Sequence, residues 1–373
     1  MINKQRLVRL LQQLIRIDSQ NPGSTEKEIA FFVAGYLRKL GLVTRIYAFK
    51  KDRSNLLAYL KGRGSKSLLI TPHLDTVPAG RNWNFLPFGA TIKNNRIYGL
   101  GATDCKCNLA AGMEAINSLV EDKEVLDYNL VFAATADEET GSDRGLIPLI
   151  NKGILKPDAA VVLDADDFEI VVAQKGLIHL KVKISGKKAH GAYPWRGINA
   201  IAIAVDILKD LKAYKFKYTK NKYLKPPTVN IGTIRGGDKV NIVADWCEFE
   251  LDFRFLPGMR AEKIISDLKK IIGRRARKYK IEISGIQKDY RIDSRHPLVS
   301  SLSAAFKRCG IRPDVSGSEG ATTITFFQDK NIPAIATGFG AAGCAHTVDE
   351  YVKIEDLYKG SRALEEFLKR YKF

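Results

Sequence analysis

Residues 129–142 read NLVFAATADEETGS, an apolar run that ends in three consecutive acids, Asp137, Glu138 and Glu139. Asn129–Ala134 has the length and composition of a buried strand. Acids crowded at a strand end repel one another unless a cation neutralises them or one of them holds a proton. A solvated acidic turn is the plain alternative. Working outward, strand-like runs occur at Asn55–Leu60, Ser67–Ile70 and Ala159–Leu163, with a helical stretch from about Asn108 to Val120 among them. Alternating strands and helices predict an α/β layer with a largely parallel sheet, where sites form at the carboxyl ends of strands.

Further metal-ligand side chains fall at such ends. His73 follows the second run, with Asp75 two residues on, and a metal-bound imidazole needs an acceptor on its second nitrogen. A His-x-Asp pair taken alone is more often incidental. Asp104 lies in the glycine-rich turn of YGLGATDCKCNLAAGMEA. There a carboxylate can bridge two metals, although the segment alone favours a helix N-cap. Asp164 ends the run AAVVLDADD, and His346 lies in the glycine-rich GFGAAGCAHTVDEYV. Glu138 and Glu139 point in different directions, so one can bind metal while the other faces a water. Two histidines and several carboxylates of this kind are what two divalent ions need around a shared water.

At 373 residues the chain is long enough to predict two domains. The content of 45% hydrophobic and 27% charged residues is that of a soluble globular protein. No apolar run approaches the roughly 18–20 residues of a spanning helix, and none suits a signal peptide. The cytoplasm is therefore the expected compartment, with no membrane partner. The five cysteines are an odd number, which argues against a disulfide framework. The formal charge is +19, and basic residues crowd Lys209–Lys225 and Lys269–Lys280. No nucleic-acid module accompanies it, so nucleic acid is not an expected partner. A solvated surface is the simpler reading, with steering of anionic substrates as the alternative.

Leu7, Leu10, Leu11, Leu14 and Ile15 repeat at helical spacing. Thr25 with Glu28 reads as a capping box for a helix through Leu40, closed by Gly41. From about Gln174 the pattern changes. Strands at Leu180–Ile184, Thr228–Ile234, Cys247–Phe255 and Lys280–Ser284, with helices at Asn199–Tyr214 and Ala261–Tyr279, give the order β-α-β-β-α-β of a ferredoxin-like unit. Residues 174–285 are thus expected to form an inserted domain, and residues 1–173 with 286–373 a discontinuous one. A helix near Ala321–Gln328, a strand at Ala334–Gly338 and a helix from about Ile354 complete the expectation.

The assembled motifs resemble the dinuclear zinc amidohydrolases and metallopeptidases that include acetylornithine deacetylase, succinyl-diaminopimelate desuccinylase, aminoacylase, carboxypeptidase G and bacterial di- and tripeptidases. SQNPGSTEKE resembles that family's start, HLDTVP its first metal motif, GLGATDCKCNLAA its bridging-aspartate motif, ADEETGS its base-and-ligand motif, KKAHGAYPWRGINAI a lid motif and AHTVDEYV its last ligand motif. The resemblance implies a zinc-exopeptidase-like α/β/α catalytic domain with a ferredoxin-like lid that also makes a homodimer. It implies one metal on His73 and Asp164, a second on Glu139 and His346, and Asp104 bridging them. Asp75 would orient His73, Glu138 would be the general base, and His190 would stabilise the oxyanion, often across the dimer. Asn241 and Arg254 fall where the family binds a substrate carboxylate, and an ion pair within the strand is the equal alternative for Arg254. Gly317, Ser318 and Glu319 occupy the loop that contacts the substrate's amino-acid part, and Glu319 and Ala321 depart from the Asp or Arg many relatives carry there.

The implied activity is hydrolysis of the amide bond of an N-acyl amino acid, of deacetylase or desuccinylase type, using two divalent ions, zinc by default or cobalt or manganese. A short peptide as substrate is the alternative within the family, and a non-catalytic small-ligand-binding protein is the alternative of another class. Cys105, Cys107 and Cys344 lie beside ligand motifs. Their spacing does not favour a thiolate-rich zinc site with His346, and small buried residues beneath the metals are expected instead. His179 and His296 read as structural.

Overall fold

The quoted run folds as the strand Asn129–Ala134, buried from Leu130 onward. It lies beside Ser67–Thr71, which lies beside Ala159–Leu163, which lies beside Ala334–Thr337, and all three pairings are parallel. The computed structural model describes residues 1–320 and 322–373. Antiparallel strands flank this parallel centre. Arg53–Leu60 pairs with Asn129–Ala134 and carries Val43–Lys50 outside it, while Glu169–Gln174 joins on the far side of Ala334–Thr337. The sheet is therefore mixed, where the apolar runs alone predicted a largely parallel one.

Parallel neighbours need a crossover between them. Between Ser67–Thr71 and Asn129–Ala134 that crossover carries the helix Lys106–Glu121, whose residues 106–119 are all buried. The helix packs against Lys4–Arg16 and Ile354–Arg370. The first helix buries Leu7, Leu10, Leu11, Leu14 and Ile15, the residues its spacing singles out. Because the central strands run parallel, their carboxyl ends share one edge. His73, Asp137–Glu139, Asp164 and the loop to His346 all leave from it.

The chain divides into two compact units. One comprises residues 1–172, 292–316 and 322–373, and the other residues 173–291 and 317–321. Within the second unit, the strand order is Thr228–Gly236, Trp246–Phe255, Gly176–Ser185, Tyr279–Gln287, all antiparallel. That is the ferredoxin-like order. Helices Ala200–Ala213 and Ala261–Gly273 share a buried core with the sheet, built on Ile178, Leu180, Phe249, Phe253, Ile207 and Leu268.

Three local expectations shift. The second helix is Lys27–Lys39 and its start has no side-chain cap, so the box of Thr25 and Glu28 does not form. Helix Ala261–Gly273 stops short of Tyr279. The helix expected near Ala321–Gln328 is one turn, Thr325–Gln328, and Ala321 lies outside the described residues.

Gly338 closes the strand Ala334–Thr337, and a Cβ there would stand 1.6 Å from the carbonyl oxygen of Ala165, the residue after Asp164. Backbone cannot yield as a side chain end can. Gly338→Ala is expected to cost at least about 1–3 kcal/mol, the range for overpacking, and to weaken metal binding as well. Chemical denaturation with metal analysis checks both, and an unchanged midpoint contradicts the packing argument.

Candidate metal centre

The strand Ser67–Thr71 delivers His73 into a buried position, where Leu74 N–H donates to the Thr135 carbonyl at 2.8 Å and ties the turn to the neighbouring strand. His73 Nδ1 lies 2.9 Å from the backbone carbonyl of Asp75. A carbonyl only accepts, so Nδ1 carries the proton and Nε2 is left as the free donor atom. Nε2 faces Asp104 Oδ1 at 2.8 Å and Asp164 Oδ1 at 3.5 Å.

The Asp75 side chain, expected to orient His73, lies against the same ring nitrogen as its own main chain. Its Oδ1 stands 3.6 Å from Nδ1, and the shorter contact belongs to the Asp75 main chain. The carboxylate itself accepts from Glu138 N–H at 3.1 Å, Glu139 N–H at 3.2 Å and Asn21 Nδ2 at 2.9 Å. Burial pushes the Asp75 carboxyl up, but His73, Asn21 and the Glu138 N–H outweigh it and hold it below its ordinary value. Asp75 thus joins the first motif to the turn that carries the predicted base.

Asp104 does not cap the following helix. The cap position is Cys105, and the Asp104 carboxylate splits its oxygens, Oδ1 to His73 and Oδ2 to His346 Nε2 at 3.2 Å. His346 Nε2 is also 3.1 Å from Glu139 Oε2. Glu139 Oε1 is buried with no hydrogen-bond partner, an oxygen that a cation would satisfy. The donors His73, Asp104, Cys105 and Asp164 lie within 4.8 Å of one another, and so do Asp104, Glu139 and His346. Two donor groups sharing one carboxylate fit a pair of divalent ions.

The electrostatics agree with that fit. Burial first, then the charge of Asp164, pushes the half-buried Glu138 carboxyl well above its usual range, with Glu139 and Asp104 adding to it. Hydrogen bonds to Asp104 and Glu139 push His346 up to about 10. Both shifts favour the protonated forms, the direction expected of a site short of positive charge. Of the three consecutive acids, Asp137 turns away. It is buried, pairs with Arg53 at 3.1 Å and accepts from Thr140 Oγ1 at 2.7 Å.

Some residues that shape the site were not read from the sequence. Glu350 is buried, and its carboxylate accepts from the N–H groups of Gly101, Thr103 and Asp104 at 2.9, 2.7 and 2.8 Å. Burial pushes it up to about 7. Strand Tyr351–Lys353, paired with Arg96–Tyr98, brings it there. Its only signal was a second acid within AHTVDEYV. Lys106 is buried, donates from Nζ to the Ile17 carbonyl at 2.7 Å, and is pushed down to about 8 by burial. Cys105 and Cys107 are buried and Cys344 partly so. Among the described residues Cys107 and Cys344 join no donor group with His346.

The remaining predicted residues belong to the second unit. His190 is exposed, and its Nδ1 accepts from Ala192 N–H at 3.1 Å, which leaves the ring proton on Nε2. A bridge from His190 to Ile242 and the bond from Gly191 N–H to the Asn241 carbonyl at 2.8 Å set His190 beside Asn241. Arg254 is held by Asp252 through two bonds of 2.7 and 3.0 Å, and His179 reaches the same acid at 3.3 Å. Gly317 packs so closely on Tyr223 and Leu224 that a Cβ would meet them at under 3 Å or at contact, the nearest being 2.7 Å. The Ser318 carbonyl accepts from Lys175 N–H at 3.2 Å, and Glu319 pairs with the buried Lys175 Nζ at 2.6 Å.

The class follows from comparison with known proteins. Residues 69–370 match the model of peptidase family M20/M25/M40, and the chain belongs to that family. Acetylornithine deacetylase of Aliivibrio fischeri (strain MJ11) is 31% identical over 338 residues, covering 87% of this chain and 86% of that one. A metallo-carboxypeptidase of the M20 family from Sulfolobus solfataricus superposes with a TM-score of 0.81 at 24% identity, covering 97% of this chain and 98% of that one. The Bacillus subtilis YXEP protein, described as a dinuclear metal binding peptidase of the family, gives a TM-score of 0.77 at 17% identity, covering 98% of this chain and 97% of that one.

Glu350→Gln keeps the shape but offers one acceptor where the carboxylate has two, and turns an N–H₂ toward backbone donors. We expect zinc affinity to fall about 10- to 100-fold, as loss of an outer partner does. Calorimetric titration of the metal-free protein checks this, and an unchanged affinity contradicts the anchoring role.

Proposed function

We propose that this metal-dependent amide hydrolase releases a free amino acid from a small N-acyl amino acid. The carrying observation is the Asp104 carboxylate, whose two oxygens face two histidines at 2.8 and 3.2 Å. In this reading His73 and Asp164 hold one ion, Glu139 and His346 the other, and Asp104 both. Zinc is the first choice for such His and carboxylate donors, with cobalt or manganese also accepted. When bound, two divalent ions would lower the pKa of a water and polarise the scissile carbonyl.

The rest is done by the chain. Asp75 holds the turn at Glu138 through its N–H. Glu138 takes the proton of the attacking water and later delivers it to the leaving amine. His190, protonated at Nε2 by the argument from its Nδ1 contact, donates to the developing oxyanion. Asn241 and Arg254 receive the substrate carboxylate, and residues 317–319 its amino-acid part. For Arg254 the bond to Asp252 must open or be shared. The deacetylase relative supports an acetyl group. A desuccinylase and a di- or tripeptidase share the same chemistry. Crowded acids in a retained base-and-ligand set argue against a role limited to binding.

The second unit is the proposed dimer contact. Ile198, Ile201 and Val205 are 51, 37 and 54% exposed beside the edge strand Thr228–Gly236, where Ile234 is 48% exposed. An open edge and an apolar helix face together favour pairing with a second copy. No helix among the described residues is long and apolar enough to cross a membrane. The cytoplasm remains the proposed compartment.

Primary-amine release from N-acetyl and N-succinyl amino acids and dipeptides, with and without chelator, tests the reading. Chelator-sensitive release from one N-acyl class is expected, and activity that survives full metal removal contradicts it. Glu138→Ala should keep both ions and lose about two to three orders of magnitude in kcat, while near-normal turnover would sink its role as base. Val205→Glu should halve the mass seen in sedimentation. A wild type that sediments as a monomer removes the dimer.

A further inference from the structure

The residue that follows the bridging carboxylate is a cysteine. Its sulfur belongs to the donor group of His73, Asp104 and Asp164, in which one ligand atom from each residue lies within 4.8 Å of all the others. Tetrahedral ligands at bonds of about 2.0–2.3 Å stand roughly 3.3–3.8 Å apart, so these atoms need draw in by no more than about 1.5 Å to share one ion. Cys105 is 1% exposed, and its sulfur is held against the main chain of the first ligand. His73 N–H donates to Sγ at 3.2 Å, and Sγ–H lies 3.4 Å from the His73 carbonyl. Cys107 is just as buried, but its S–H goes to the Thr103 carbonyl at 3.0 Å, and it joins no donor group among the described residues. The second group, Asp104, Glu139 and His346, contains no sulfur.

We propose that the ion held by His73 and Asp164 takes the sulfur of Cys105 as a further ligand. The two metal positions then differ in kind, one carrying a thiolate and the other only nitrogen and oxygen. As the sulfur–metal bond forms, the thiol proton leaves to solvent and the contact with the His73 carbonyl is lost. The N–H of His73 continues to donate to the sulfur, a stronger interaction once the sulfur is charged. A soft ligand at one position favours zinc there over manganese or magnesium. The positions should therefore empty at different rates. This inference rests on the two-metal reading above.

The test loads the metal-free protein with two equivalents of cobalt(II). A thiolate-to-cobalt charge-transfer band in the near ultraviolet is expected in the wild type, in Cys107→Ser and in Cys344→Ser. It should be absent from Cys105→Ser while the visible bands of two cobalt ions persist. With zinc, one equivalent should leave to a chelator at least about tenfold faster from Cys105→Ser than from the wild type. Zinc X-ray absorption on the wild type needs no variant, and there a sulfur scatterer at about 2.3 Å is expected. Two bound ions with no charge-transfer band and no sulfur scatterer overturn this ligand alone. A protein that binds no ion overturns the two-metal reading with it.

Discussion

Asp104 has to face two histidines at once, and much of the first unit holds it in that attitude. Its Oδ1 is 2.8 Å from His73 and its Oδ2 3.2 Å from His346. The N–H groups around it are held from behind by the buried Glu350 carboxylate. Lys106 reaches from the same turn to the carbonyl of Ile17, at the end of the first helix. A carboxylate fixed by its surroundings binds cations without first losing its own freedom, which is how outer contacts tune a metal site.

The sheet supplies the other half of the constraint. Parallel strands send their ends to one edge, so acids and histidines far apart in sequence converge without any one segment carrying the site. That convergence is costly while the charges are alike, because burial and Asp164 together push Glu138 well up. Asp75 then couples the segments, its carbonyl on the His73 ring and its carboxylate on the N–H groups of Glu138 and Glu139. Asp137 and His346 accept left-handed backbone, φ 66° and 60°, to turn the chain at these points. Such conformations persist where surrounding contacts over-determine them.

What the sequence made legible was whatever depends on local composition. Asn129–Ala134 and Ala159–Leu163 are uninterrupted apolar runs and fold with those bounds. Gly41 takes φ +87° after the second helix, as a closing glycine should. Contacts made at a distance were not legible. The capping box of Thr25 and Glu28 lost to Glu26, whose buried carboxylate pairs with Arg53 at 2.7 Å and accepts from Asp137 N–H. Val43–Lys50 is half exposed and broken by charged residues, so that outermost strand gave no signal. That the Asp75 carboxylate, 3.6 Å from the His73 ring, also accepts from the next strand's turn was hidden in the same way. Glu350 stayed hidden because its partners are backbone N–H groups some 246–249 positions away.

The most direct measurement is the metal content of the wild type and of Asp104→Ala after exhaustive dialysis, read by mass spectrometry of the metals. If one carboxylate holds both ions, the wild type retains two equivalents, and the variant loses them together with part of its thermal stability. Two equivalents retained in Asp104→Ala would contradict the shared carboxylate and the site built around it.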